Sequence, residues 1–320
     1  MLRRALQLAA LSLLPLAVTA HAAVQQPAQI LSGGMARDYI LASPAGEAAR
    51  PLPLVLVLHG HLGTAANALG QGRVPSPLSA WLPIVDREQV LVAALQGLKG
   101  RDDHTGWDDC RIDAVEDPGS DDVTFARDVV ASLVQAGRAD PHRVYVMGMS
   151  NGAMMALRLA LEMKPAPAAV AAVSGTMAAS SACTGPAPQV SVLLIDGTDD
   201  PIVPYAGGRV GLGRHKTGTV TGVTASRDWW LQADGLQGTP AIATTFPHLD
   251  PVDPTRATRY VWGPQAGPQV EVISVQNGGH VEPSLRFHYG WFYSRLVGTQ
   301  NRDFESAEEA WSFFRTKRSR

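Results

Sequence analysis

Residues 148–152, Gly-Met-Ser-Asn-Gly, constrain the fold more tightly than any other stretch of this chain. Before them, Arg143–Met147 (RVYVM) has the β-branched and aromatic character of a strand. After them, Gly152–Met163 is a run of strong helix formers that Pro165 must stop soon afterwards. A strand therefore becomes a helix across Ser150. The spacing G-x-S-x-G alone arises easily by chance, and this strand–turn–helix setting is what gives it meaning. The turn is so tight that small residues must flank the serine. It lifts the hydroxyl above the end of a sheet, beside a helix N-terminus.

The remaining sequence continues the alternation. Pro53–Leu58 (PLVLVL) is a continuous apolar run, as expected for a strand buried on both faces, and Gln89–Leu95 is another. Arg37–Ser43, Ala168–Val173, Val190–Ile195 and Gln269–Val275 complete the strands. Asp122–Ala136 reads as a helix with Asp121 or Asp122 as its cap, and Ser226–Ala233 as another whose Trp229 and Trp230 pack it. Ser306–Arg315 reads as a final amphipathic helix, acidic early and basic late. The pattern predicts an α/β fold, a mostly parallel sheet with helices on both faces. Gly97–Gly119 and Pro204–Gly222 read as irregular, Pro240–Thr258 as a surface excursion, and Arg315–Arg320 as a frayed basic end.

Arg3 and Arg4, the apolar stretch Ala5–Thr19 and the small-residue site Ala20–His21–Ala22 have the order of a signal peptide, residues 1–22. The apolar run is short for a membrane span. The expectation is an exported protein, periplasmic or extracellular, whose residues 23–320 form a single domain without stable membrane insertion. In an oxidising compartment the two cysteines, Cys110 and Cys183, can form one disulfide, the alternative being two buried thiols. Charged residues are 18 % of the chain and the formal net charge is −2, so nothing points to a nucleic-acid partner.

A serine hydroxyl is a poor nucleophile until a positioned base takes its proton and a third group orients that base. In a sheet of this kind the order along the chain is serine, acid, histidine. Gly278–Gly279–His280 follows the last strand, and Asp196, Asp199 and Asp200 follow the strand before it. Both groups lie just past strand C-terminal ends, where open α/β sheets gather their sites. Position alone disfavours Asp196, which is close to its strand, and leaves Asp199 and Asp200 open. Donors for a developing oxyanion are expected from the backbone N–H of Asn151 and from the loop His59–Gly63, with His61 as the candidate. His59 and His61 could instead begin a zinc site, but no third ligand is spaced for one, so no metal is expected. Trp107 is a candidate lining for a substrate pocket, or an aromatic that anchors its loop.

Taken together, LHGHLGTA at 58–65, SDDVTFARDVV at 120–130, GMSNGAMMALRLA at 148–160, DGTDDPIVPY at 196–205, NGGHVEP at 277–283 and FESAEEAWSFF at 304–314 resemble one family. It is the secreted polyhydroxybutyrate depolymerase-like serine esterases, which include feruloyl and acetylxylan esterases. The resemblance implies the α/β-hydrolase fold, catalysis without a cofactor, and a small or oligomeric ester as substrate. It places the nucleophile on Ser150, the base on His280 and the acid on Asp200. It favours hydroxyalkanoate esters, with feruloyl or acetylxylan esters second, and a non-catalytic polymer- or carbohydrate-binding protein as the reading from another class. Three positions depart from the family: Asp196 stands where His is common, His61 where Cys or Gly is, and Glu282 where a Trp often follows the histidine. These departures are expected around the site mouth.

Overall fold

The computed structural model describes residues 23–319 other than 47–49, 73–75, 184–188, 214 and 216. The expected signal segment, 1–22, lies outside the described residues.

Ten strands form one sheet: β1 (Val24–Ser32), β2 (Met35–Ser43), β3 (Leu52–Leu58), β4 (Leu91–Leu95), β5 (Ala139–Met149), β6 (Ala169–Val173), β7 (Ser191–Gly197), β8 (Ile242–Thr245), β9 (Arg256–Trp262) and β10 (Val270–Gln276). Their spatial order is β1-β2-β4-β3-β5-β6-β7-β10-β9-β8. The six central strands, β4 to β10 in that order, run parallel. Antiparallel pairs close both edges. Every residue of β3, β4, β6 and β7 is buried, which is why these segments read as unbroken apolar runs rather than alternations.

The pleat sorts those runs into two cores. Leu54, Leu56 and Leu58 of β3 face one side and Val55 and Val57 the other. Helices α2 (Asp122–Gln135), α3 (Asn151–Glu162) and α4 (Val223–Ala233) cover the first side through Phe125, Leu157 and Trp230. Helices α1 (Trp81–Glu88) and α6 (Ser306–Phe314) cover the second through Trp81, Ile84, Trp311 and Phe314. Between them α5 (Trp291–Val297) stays largely uncovered. The α/β-hydrolase architecture is therefore present, with helices on both faces of a mostly parallel sheet.

Three elements depart from the sequence reading. β1 escapes it because glutamines and Pro27 break up its apolar residues and most of it is exposed, yet Gly33 and Gly34, at φ 56° and 81°, make the two-residue turn that pairs it with β2. The segment 240–258, expected to be a surface excursion, lies at the surface but also holds β8 and the start of β9, which form the antiparallel edge of the sheet. Through Ser319, the basic end is not frayed. Lys317 is buried, its ammonium donates to Gln269 Oε1 at 2.8 Å and to the Gln265 carbonyl at 2.6 Å, and its own carbonyl accepts the Tyr145 hydroxyl at 2.8 Å.

Candidate active site

Ser150 sits between β5 and α3 at φ 57°, ψ −121°, a conformation that costs a non-glycine residue energy and is held by its surroundings. Its N–H donates to the Val173 carbonyl at 2.8 Å, and its carbonyl accepts the amides of Ala153 and Met154. The flanking glycines have no space for a side chain. A Cβ on Gly148 would meet the Gly152 carbonyl oxygen at 2.0 Å, and one on Gly152 would meet the Leu58 and His59 carbonyls at 2.5 and 2.4 Å. The pentapeptide is thus a packing requirement of the corner.

His280 follows β10 in the loop that Gly278 and Gly279 tighten. Its N–H donates to the Val297 carbonyl at 2.6 Å, fixing the loop against the end of α5. The ring bridges two partners: Nε2 is 2.8 Å from Ser150 Oγ, and Nδ1 is 2.7 Å from Asp200 Oδ2. The other Asp200 oxygen, Oδ1, accepts the amides of Ile202 and Val203 at 2.7 and 2.8 Å, so both carboxylate oxygens are committed. His280 and Asp200 are buried, whereas Ser150 is half-buried. The structure therefore brings together Ser150, His280 and Asp200. Asp199 is left outside, its carboxylate accepting the neighbouring Thr198 hydroxyl. A hydroxyl, an imidazole and a buried carboxylate in this line can move one proton from serine to histidine while the carboxylate holds the ring's tautomer.

The loop after β3 passes directly beside Ser150: a Cβ built on Gly60 would stand 3.4 Å from that of the serine. Among the described residues, the backbone N–H groups of His61 and Asn151 have no hydrogen-bond partner. Asn151 opens α3, whose first amides point out of the helix.

A family model described as Phospholipase/Carboxylesterase matches residues 114–217, a span that carries Ser150 and Asp200. NocK of Nocardia uniformis subsp. tsuyamanensis, whose name assigns it to the esterases, is 31% identical over 301 residues, covering 89% of this chain and 81% of NocK. The chain belongs to the esterase family of the α/β-hydrolases. The esterase is also similar to feruloyl esterase B of Piromyces equi, at 24% identity over 262 residues, which cover 80% of this chain and 44% of that enzyme. Among solved structures it resembles a thermostable esterase with a TM-score of 0.48 and 13% identity, over 92% of this chain and 63% of that one. The esterase thus spans less than half the length of the Piromyces enzyme and under two thirds of that structure.

Trp107 is not an open pocket wall in the esterase. Its side chain is 1% exposed, its indole N–H donates to the His59 carbonyl at 2.8 Å, and its ring lies 4.9 Å from the His59 ring. Of the two sequence readings, anchoring is the one the contacts express, because a buried indole needs an acceptor and the loop supplies one. His59 is no ligand either. Burial pushes its imidazole down to about 4, and Nε2 accepts the Gly97 amide at 3.0 Å.

A network that the sequence reading misses supports Asn151 from behind. Its side chain accepts the Trp107 amide at 2.7 Å and donates to Asp109 at 2.9 Å. Asp109 in turn pairs with the buried Arg111 through bonds of 2.8–3.0 Å. Burial, then the neighbouring Asp109 charge, raises the carboxyl of nearby Asp117. The signal was the cluster of acidic residues around Arg111 in the segment read as irregular. Cys110 and Cys183 are joined by a disulfide that ties this segment to the chain after β6. The Cys110 carbonyl also accepts the Ala182 amide at 2.8 Å.

Two of the three family departures lie beneath the site rather than at its mouth. Asp196 is buried at the end of β7, with Oδ2 unpartnered. Burial, then the neighbouring Asp200 charge, raises its carboxyl well above the usual range. Glu282 is buried too and accepts the Tyr289 hydroxyl at 3.0 Å. Burial raises its carboxyl as well. His61 alone is solvent-facing, about a third exposed.

Proposed function

We propose that this serine esterase works through an acyl-enzyme formed on Ser150. The observation that carries this is the unbroken contact series from Ser150 Oγ through His280 to Asp200. The serine oxygen attacks the ester carbonyl while His280 Nε2 takes its proton. The tetrahedral oxyanion is bound by the amides of Asn151 and His61. His280 then protonates the leaving alcohol, and the C–O bond breaks to leave the acyl group on Ser150. Water attacks that ester with His280 again as base, releasing the acid and restoring the serine. Asp200 orients the ring throughout and stabilises its cationic form.

The preferred substrate in this reading is an apolar hydroxyalkanoate ester or oligoester. Supporting it is the outer face of α5, where Trp291 and Phe292 are 72% and 75% exposed and Leu296 is half exposed. A contiguous apolar face of this kind marks a contact surface. Here it is fixed to the loop of the base by the His280 to Val297 bond. The second reading, a feruloyl-type ester, is favoured by the similarity to the Piromyces feruloyl esterase. Export to the periplasm or medium, and residues 23–320 as one domain, belong to the same proposal. They are supported by the leader-like residues 1–22 and by the disulfide. Among the described residues no helix is long and apolar enough to cross a membrane.

The test is a substrate panel: p-nitrophenyl esters of rising acyl length, methyl ferulate and a hydroxybutyrate oligomer, each with wild type and Ser150→Ala. Oligomer turnover that the substitution abolishes is expected. Preference for the ferulate would move the substrate to the plant-ester class. No turnover on any of them, with a folded wild type, would leave a polymer-binding protein on a hydrolase scaffold.

A further inference from the structure

The ligands that sequence spacing does not supply beside His61 come from a folded turn. Leu98–Lys99 and Thr105–Gly106 pair as a short antiparallel ribbon, and the turn between them carries Asp102 and His104. This ribbon is fastened to the His59–Gly63 loop by backbone groups. The Leu62 amide donates to the Thr105 carbonyl at 2.9 Å, and the Thr105 hydroxyl donates to the Gly63 carbonyl. The fastening brings three side chains together that lie 43 residues apart at their extremes. His61 Nε2 is 2.9 Å from Asp102 Oδ2, and His104 Nδ1 is 3.4 Å from the same oxygen. All three candidate donor atoms lie within 4.8 Å of one another.

We propose that His61, Asp102 and His104 form a binding site for a borderline divalent cation of the zinc type, with water in the remaining position. Two imidazole nitrogens and one carboxylate oxygen are a recurrent zinc donor set. At metal–ligand distances of about 2.0–2.2 Å, tetrahedral donors stand about 3.3–3.5 Å apart. The two imidazole–carboxylate separations, 2.9 and 3.4 Å, lie just below and within that range, so small side-chain adjustments complete the geometry. Asp102 is already oriented as a ligand, because Oδ1 accepts the His104 amide at 3.1 Å and leaves Oδ2 directed at both rings. Such a bond behind a ligand is what holds carboxylates in place on metals. The three side chains are 32–55% exposed, so an ion can enter and water can coordinate it.

A plain ion pair accounts for one histidine beside Asp102, and at this exposure it contributes little. It gives no reason for two imidazoles to converge on a single carboxylate oxygen. The bound ion would clamp the ribbon to the loop bearing His61. It is a clamp on that loop, with no step of ester hydrolysis routed through it. The site rests on these loop contacts alone and stands or falls independently of the substrate reading.

The experiment uses the untagged full chain, stripped with a chelator and titrated with zinc by calorimetry and with cobalt by visible absorption. Wild type is compared with His104→Ala and Asp102→Asn, whose folding is checked by circular dichroism. Expected are one zinc per chain with micromolar affinity, and cobalt bands of a four- or five-coordinate site. Each substitution should weaken binding by about tenfold or more. Zinc should raise the melting temperature of wild type and of neither variant. Absence of saturable zinc uptake, or uptake unchanged in both folded variants, would overturn the proposal.

Discussion

At the scale of single residues, the choice among Asp196, Asp199 and Asp200 is the sharpest consequence of the structure. Only Asp200 touches His280, so Asp200→Asn should lower kcat by about 10³–10⁴-fold through loss of the correct histidine tautomer. Asp199→Asn and Asp196→Asn should keep activity within a few-fold, as steady-state kinetics on a p-nitrophenyl ester would measure. A large loss in either would move the acid to another position. Spacing could not make this choice because all three aspartates lie within five residues, and a turn can aim any of them. The aim depends on the amides of Ile202 and Val203, which take up one oxygen of Asp200 and leave the other for the histidine. Ser150 and His280 were easier to read, because glycines that admit no Cβ mark the approach to each of them.

At the scale of elements, two links fasten chain segments to the sheet in ways that periodicity does not reveal. Arg37 on β2 pairs with Asp122 at the start of α2 at 2.7 Å, both buried. Asp122 also accepts the Asp108 amide and the Ser120 hydroxyl. Arg37→Ala should destabilise by about 3–5 kcal/mol in denaturant unfolding, because it leaves a buried carboxylate uncompensated. The Cys110–Cys183 disulfide closes a separation of 73 residues. Cys110→Ser with Cys183→Ser should therefore cost about 2–4 kcal/mol, read as a lowered denaturant midpoint. Stability equal to wild type would show that the loop network holds without it. The central strands were legible because burial on both faces demands continuous apolar runs. The edges were not: β1 and β8 are largely exposed, and their pairing is decided by the turn and by the neighbouring strand.

At the scale of the whole molecule, buried acids without partners set how stability follows pH. Asp234, past the end of α4, has both carboxylate oxygens buried without a hydrogen-bond partner, and burial raises its carboxyl to about 7. In the unfolded chain the same group ionises near 4. Between those values the folded state holds a proton that the unfolded state has lost, so this group's contribution weakens as pH rises from about 4 to about 7. Asp234→Asn removes that dependence. Its melting temperature should exceed that of wild type at pH 8 and approach it near pH 4. An equal difference at both pH values would contradict the assignment.

The proposed catalysis requires Ser150 to be a nucleophile made reactive by its contact with His280 and, through that ring, with Asp200. The most direct measurement is intact-mass and peptide mapping after treatment with a fluorophosphonate, run on wild type, Ser150→Ala and His280→Ala. The prediction is one adduct per wild-type chain, located on Ser150, absent from Ser150→Ala and formed far more slowly in His280→Ala. An unlabelled but folded wild type, or an adduct on another serine, would contradict it.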